Sequence, residues 1–91
     1  MILSLHDPRP SDMAELARQT AAELRKRGIW AQLALGHTGV VEVPFVRDWR
    51  LMWRAVPLSQ SQFDNLGPIA CADVIQAEEA RRAQEWAGDE P

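Results

Sequence analysis

Arg47-Asp48-Trp49-Arg50-Leu51-Met52-Trp53-Arg54 gathers three arginines and two tryptophans into eight consecutive positions. An arginine fork grips carboxylate or phosphate oxygens bidentately. Tryptophan and arginine are also the side chains most enriched where binding energy concentrates. The chemistry on offer is therefore recognition rather than bond-making. The same residues have a plainer use, in which the indoles fill a core and the arginines merely solubilise the outer face. The chain has four tryptophans and no tyrosine, the others being Trp30 and Trp86. The candidate partner-contacting residues are Trp30, Arg47, Arg50, Met52, Arg54 and Trp86.

Bond-making chemistry finds little to work with. The histidines are His6 and His37, and neither has a further ligand at metal spacing apart from Asp7 beside His6. A zinc site needs three or four such ligands. Cys71 lies in the apolar stretch Ile69-Ala70-Cys71-Ala72, where a thiol is most simply a small buried side chain. Gly36-His37-Thr38-Gly39 has two glycines, but neither a following Lys-Ser/Thr nor a helix start behind it. It fails the mechanism of a phosphate loop and reads as a turn with His37 at its tip. No catalytic, cofactor-binding or metal-binding residue is assigned.

Totals narrow the classes. Ninety-one residues, 46% hydrophobic and 25% charged, suit one soluble globular domain, residues 1–91, with a modest core. Residues 1–10 form an N-terminal extension and 88–91 a fraying tail. No apolar run approaches a bilayer span, and the start lacks a basic segment and a long apolar one, so neither a membrane nor a signal peptide is expected. A single cysteine excludes an internal disulfide and fits the cytoplasm. Net charge is −3, which argues against nucleic acid as a partner. Residues 1–63 carry eight basic and six acidic groups, net +2, whereas residues 64–91 carry two and seven, net −5. Nine of the ten basic residues are arginine. With abundant alanine, that bias points to a GC-rich bacterium, or to a phage or other mobile element.

The elements that position the candidates follow from local signals. Asp12 caps a helix over 12–27, with Glu15 at capping-box spacing. Met13, Leu16, Ala17, Thr20 and Leu24 share its apolar face, and Gly28 supplies its left-handed end. Residues 29–46 alternate like a β-hairpin turning at 36–39. Pro44 cannot donate a ladder hydrogen bond, which favours an edge or a bulge. Residues 49–56 fit a helix capped by Asp48, with Trp49, Met52, Trp53 and Val56 as its stripe. Short length and aromatic content favour a strand instead. Ser59 and Gln62 make a second capping box over a short helical turn. Pro68 then opens an alanine-rich helix over 69–87, which Gly88 can end. Residues 2–5 could form one more short strand.

The predicted fold is α+β, a three-stranded antiparallel sheet flanked by an N-terminal and a C-terminal helix (α-β-β-β-α). Ala31, Leu33, Val41, Val43, Phe45, Trp49, Leu51 and Trp53 are assigned to the helix-covered face. The opposite face then carries Trp30, Ala34, Val40, Val46, Met52 and Val56, relieved by Gln32, Glu42, Arg50 and Arg54. That face is too apolar to leave bare. The expectation is a small non-enzymatic protein-interaction module, a regulator, inhibitor or adaptor. It would act as a homodimer or on another protein, with no cofactor. One alternative is a nucleic-acid binder using Arg47, Arg50, Arg54 and Arg25-Lys26-Arg27. Another is a small enzyme with a dimer-interface pocket, whose usable groups would be His37, Glu42 and Cys71.

Overall fold

The computed structural model describes residues 10–89. The N-terminal residues 1–9, including His6 and the expected strand at 2–5, lie outside the described residues, as do 90 and 91. The order of elements is α1 (Met13–Lys26), β1 (Gln32–Leu33), β2 (Val40–Arg47), β3 (Arg50–Pro57), α2 (Gln60–Asn65) and α3 (Pro68–Asp89). The three strands form one antiparallel sheet in the order β1-β2-β3. This is the expected α+β architecture, with a helix before the sheet and helices after it.

α1 starts where Asp12 accepts from the Glu15 backbone N–H at 2.9 Å. The reciprocal half of the box does not form, because the Glu15 carboxylate takes the Arg18 and Gln19 side chains instead. The helix ends in a Schellman arrangement. Gly28, at φ 88°, donates to Arg25, and Ile29 donates to Leu24. Leu16, Ala17, Thr20, Ala21 and Leu24 are its buried face. They meet Ala31, Val41, Val43, Leu58, Cys71, Ala72 and Ile75 to form the core. Arg27 ties α1 to α3 by donating to Asp73 at 2.7 Å and Gln76 at 3.0 Å. α2 carries a complete capping box, with Gln62 N–H on Ser59 Oγ at 3.0 Å and Ser59 N–H on Gln62 Oε1 at 2.7 Å. α3 begins at Pro68 as expected, and it continues through Gly88 rather than ending there.

The sheet departs from expectation at both hairpins. β1 is only two residues long, paired as Gln32↔Glu42 and Leu33↔Val41. Continuing that register would set Trp30 opposite Pro44. There a donor is missing, so Pro44 sits in the central strand at the point where β1 has stopped. The well-formed hairpin is β2–β3. Its turn is Asp48-Trp49, with φ 54° and 65°, the double left-handed geometry of a two-residue type I′ loop. Arg47 therefore pairs with Arg50, Phe45 with Met52, Val43 with Arg54 and Val41 with Val56.

This register corrects the facing of β3. Directly paired residues share a face, and across a two-residue turn odd positions of β2 pair with even positions of β3. Met52, Arg54 and Val56 therefore join Val43 and Phe45 on the helix-covered side. Leu51 and Trp53 lie on the other side with Pro44 and Val46, not in the core. Trp49 belongs to neither face, because it is in the turn.

Candidate functional site

The open face of the sheet is apolar across its width. Trp30 leads into β1, Pro44 and Val46 come from β2, and Leu51 and Trp53 from β3. Together with Phe45 they line a shallow depression of about 500 Å³. Trp30 is 76% exposed, Val46 64%, Leu51 63% and Trp53 40%. Trp53 is the least exposed because it stands directly across from Pro44. The nearest polar side chains on this face, Gln32 and Glu42, satisfy each other at 2.8 Å. With Arg50 and Arg54 turned to the helix side, the face is more apolar than the sequence implied.

The hairpin tip carries the second unusual feature. Trp49 is 100% exposed and holds a left-handed backbone that a bulky residue adopts only with strain. Arg47 and Arg50 face each other immediately behind it. Arg50 forms no ion pair among the described residues.

Arg54 has a structural partner. Its guanidinium donates to both Glu79 oxygens, at 3.0 and 2.9 Å, and lies 4.7 Å from the centre of the Phe45 ring. Both side chains are mostly buried. The paired Glu79 carboxylate holds the Arg54 pKa above its ordinary value, against the opposing effect of burial. Arg54 thus pins β3 to α3, and the expectation that Arg50 and Arg54 project together into solvent is overturned by the hairpin register. Met52 is half-exposed on the helix side. The Trp86 side chain lies outside the described residues.

Between β3 and α3 runs a cleft of about 290 Å³, whose lining includes Val56, Pro57, Val74, Ile75 and Glu78. The Glu78 carboxylate is held below its ordinary pKa, chiefly by hydrogen bonding from Arg81.

The structure does not assemble a catalytic constellation from the three polar candidates. Cys71 is fully buried, and His37 is exposed in a cleft that contains neither Glu42 nor Cys71. No group of three or more metal-ligating side chains occurs among the described residues. No helix among them is long and apolar enough to cross a membrane. The basic end of α1 is largely engaged, since Arg25 donates to the Ala31 carbonyl at 2.9 Å and Arg27 bridges to Glu23 and Asp73.

No protein-family model, no curated protein and no solved structure matches this chain.

The open-face strip went unread in the sequence because a single parity error at 48–49 moves every β3 side chain to the wrong side. The signal that could have found it is the Asp48-Trp49 pair between two alternating runs. It lacks the glycine that usually marks such a turn.

Proposed function

We propose that the protein is a small non-enzymatic protein-interaction module, of the regulator, inhibitor or adaptor kind. It acts as a homodimer and uses the open sheet face as its contact surface. The observation that carries this reading is the continuous strip of Trp30, Pro44, Val46, Leu51 and Trp53, uninterrupted by charge. Contiguous exposed apolar patches of this kind mark association sites, and a self-complementary patch is the commonest route to a twofold dimer. The lone buried thiol suits a reducing cytoplasm. An origin in a bacterium, phage or mobile element rests on the arginine and alanine composition alone.

The test compares the wild type with Val46→Glu/Leu51→Glu. Both side chains are exposed, so the double variant should keep its far-ultraviolet circular dichroism. It should lose the associated protein, whether a second copy or a foreign chain, that the tagged wild type retains on affinity capture. A wild type that is monomeric and retains nothing, or a variant that retains the same chains, rejects the reading.

One observation favours a second reading. Trp49 stands fully exposed between Arg47 and Arg50, the juxtaposition that stacking on single-stranded bases requires. Its mark would be affinity for a single-stranded oligonucleotide that falls steeply with salt and disappears in Trp49→Ala. The net charge of −3 and the engaged Arg25, Arg27 and Arg54 weigh against it.

A further inference from the structure

Strand β3 closes one side of the sheet, and among the described residues no strand lies beyond it. The turn makes Arg47↔Arg50 a narrow, doubly hydrogen-bonded pair, and narrow pairs alternate with wide ones along an antiparallel ladder. Leu51, Trp53 and Ala55 are therefore in wide pairs, and their N–H and C=O groups point away from β2. The Ala34 N–H donating to the Val40 carbonyl across β1 and β2 fits the same alternation. Three consecutive donor–acceptor sites thus face outward, followed by Pro57, which can only accept.

We infer that β3 pairs antiparallel with β3 of a second copy, in a register centred on Trp53, and that each copy completes the other's β3–α3 cleft with its own Trp49 and Arg50. This rests on the protein-interaction reading above and gives it a partner, an edge and a register.

The register follows from the edge itself. Centred on Trp53, Leu51 of each copy meets Ala55 of the other, and the two Trp53 residues meet each other. All three outward sites are then used, in three narrow pairs of two hydrogen bonds each. A shift towards Pro57 sets a residue without an N–H against Trp53. The opposite shift runs Trp53 against the turn residue Trp49. Pairing joins two three-stranded sheets into one continuous sheet and runs the two apolar strips together.

The same register places Trp49 of one copy beside Pro57 of the other, at the mouth of the cleft lined by Val56, Pro57, Val74 and Ile75. Arg50 comes beside Val56, on the side where Arg54, Glu78, Glu79 and Arg82 line that cleft. The edge is its own complement, since the same three outward sites meet their twofold image about Trp53, and this favours a second copy over an arbitrary partner. The pairing also supplies a role for the exposed indole of Trp49, on its left-handed backbone, and for Arg50, which forms no ion pair among the described residues.

The test uses the full chain. Sedimentation equilibrium should give twice the 10.2 kDa chain mass at high micromolar concentration. Hydrogen exchange followed by NMR should show the Leu51, Trp53 and Ala55 amides slowing as concentration rises. Ala55→Pro removes one outward donor without taking a bond from the β2–β3 ladder, and should weaken the dimer about tenfold or more. A dimer whose three edge amides exchange as freely as other exposed amides overturns the inference and leaves the open-face reading intact. A monomer at all concentrations overturns it as well, and so does concentration-independent protection, which would mean that the chain covers its own edge. In the monomer case the Val46→Glu/Leu51→Glu comparison decides separately whether a foreign partner remains.

Discussion

Trp49 contradicts every local preference of the position it occupies. A type I′ turn wants Asn-Gly or Asp-Gly, because both central residues have positive φ. The chain supplies the Asp and then a tryptophan at φ 65° that is fully exposed. Left-handed backbone costs a residue with a Cβ about 1–2 kcal/mol. Trp49→Gly should therefore stabilise the monomer by about 1 kcal/mol in urea titration while weakening association. Stabilisation without any loss of association would deny Trp49 a contact role. This also shows where residue-level reading stopped. The Arg-Trp run was legible as the unusual segment, but the turn inside it was not, since no glycine announced it. Arg54 looked like Arg50 in the sequence. Only pairing with Val43 and the reach of Glu79 made it a structural link.

Helices were the easier elements to read, because their ends carry chemical signals that act over four residues. Asp12, Gly28, Ser59 with Gln62, and Pro68 each sit where a cap or first turn requires them. Strand facing has no such local marker and depends on the length of one loop. Pro44 is intermediate, since it was recognised as a pairing fault but cut β1 short instead of pushing β2 to the edge. The helices also carry a pH response. Glu15 is held below its ordinary value of 4.5 first by hydrogen bonding from Gln19 and then from Arg18, and Glu78 similarly by Arg81. A carboxylate with a depressed folded-state pKa adds stability above the unfolded value, and that contribution is lost as pH falls through the folded one. Thermal midpoints should therefore fall as pH drops below the ordinary glutamate range. Glu15→Gln should show a shallower decline than the wild type, and identical declines would mean that the Glu15 contacts do not persist in solution.

The molecule is small enough for association to matter to its stability. A domain of this length buries only somewhat over half of its unfolded surface. Its core is a single layer between α1, α3 and one side of a short sheet. Coupling folding to dimerisation adds a concentration-dependent term. The wild-type melting midpoint should rise with protein concentration, and Ala55→Pro should need about tenfold more protein for the same rise. A flat wild-type midpoint would indicate that self-association contributes nothing to the stability of the folded state. Charge is also arranged at this level, with a basic hairpin at one end of the chain's midpoint and an acidic last third. That separation was visible in the sequence, whereas the β3–α3 cleft was not, because β3 and α3 are brought together only in the fold.

A β3 edge with no strand beyond it among the described residues has a consequence for how the chain must live. A bare ladder of amides beside indole and leucine is a template on which further strands can stack without limit. The proposed twofold mate would stop that growth at one pair, because the two β3 edges would occupy each other's outward groups. Under the proposed pairing, copies synthesised faster than they find each other would be the ones at risk of fibril nucleation, and prompt mating would then keep this polypeptide in solution.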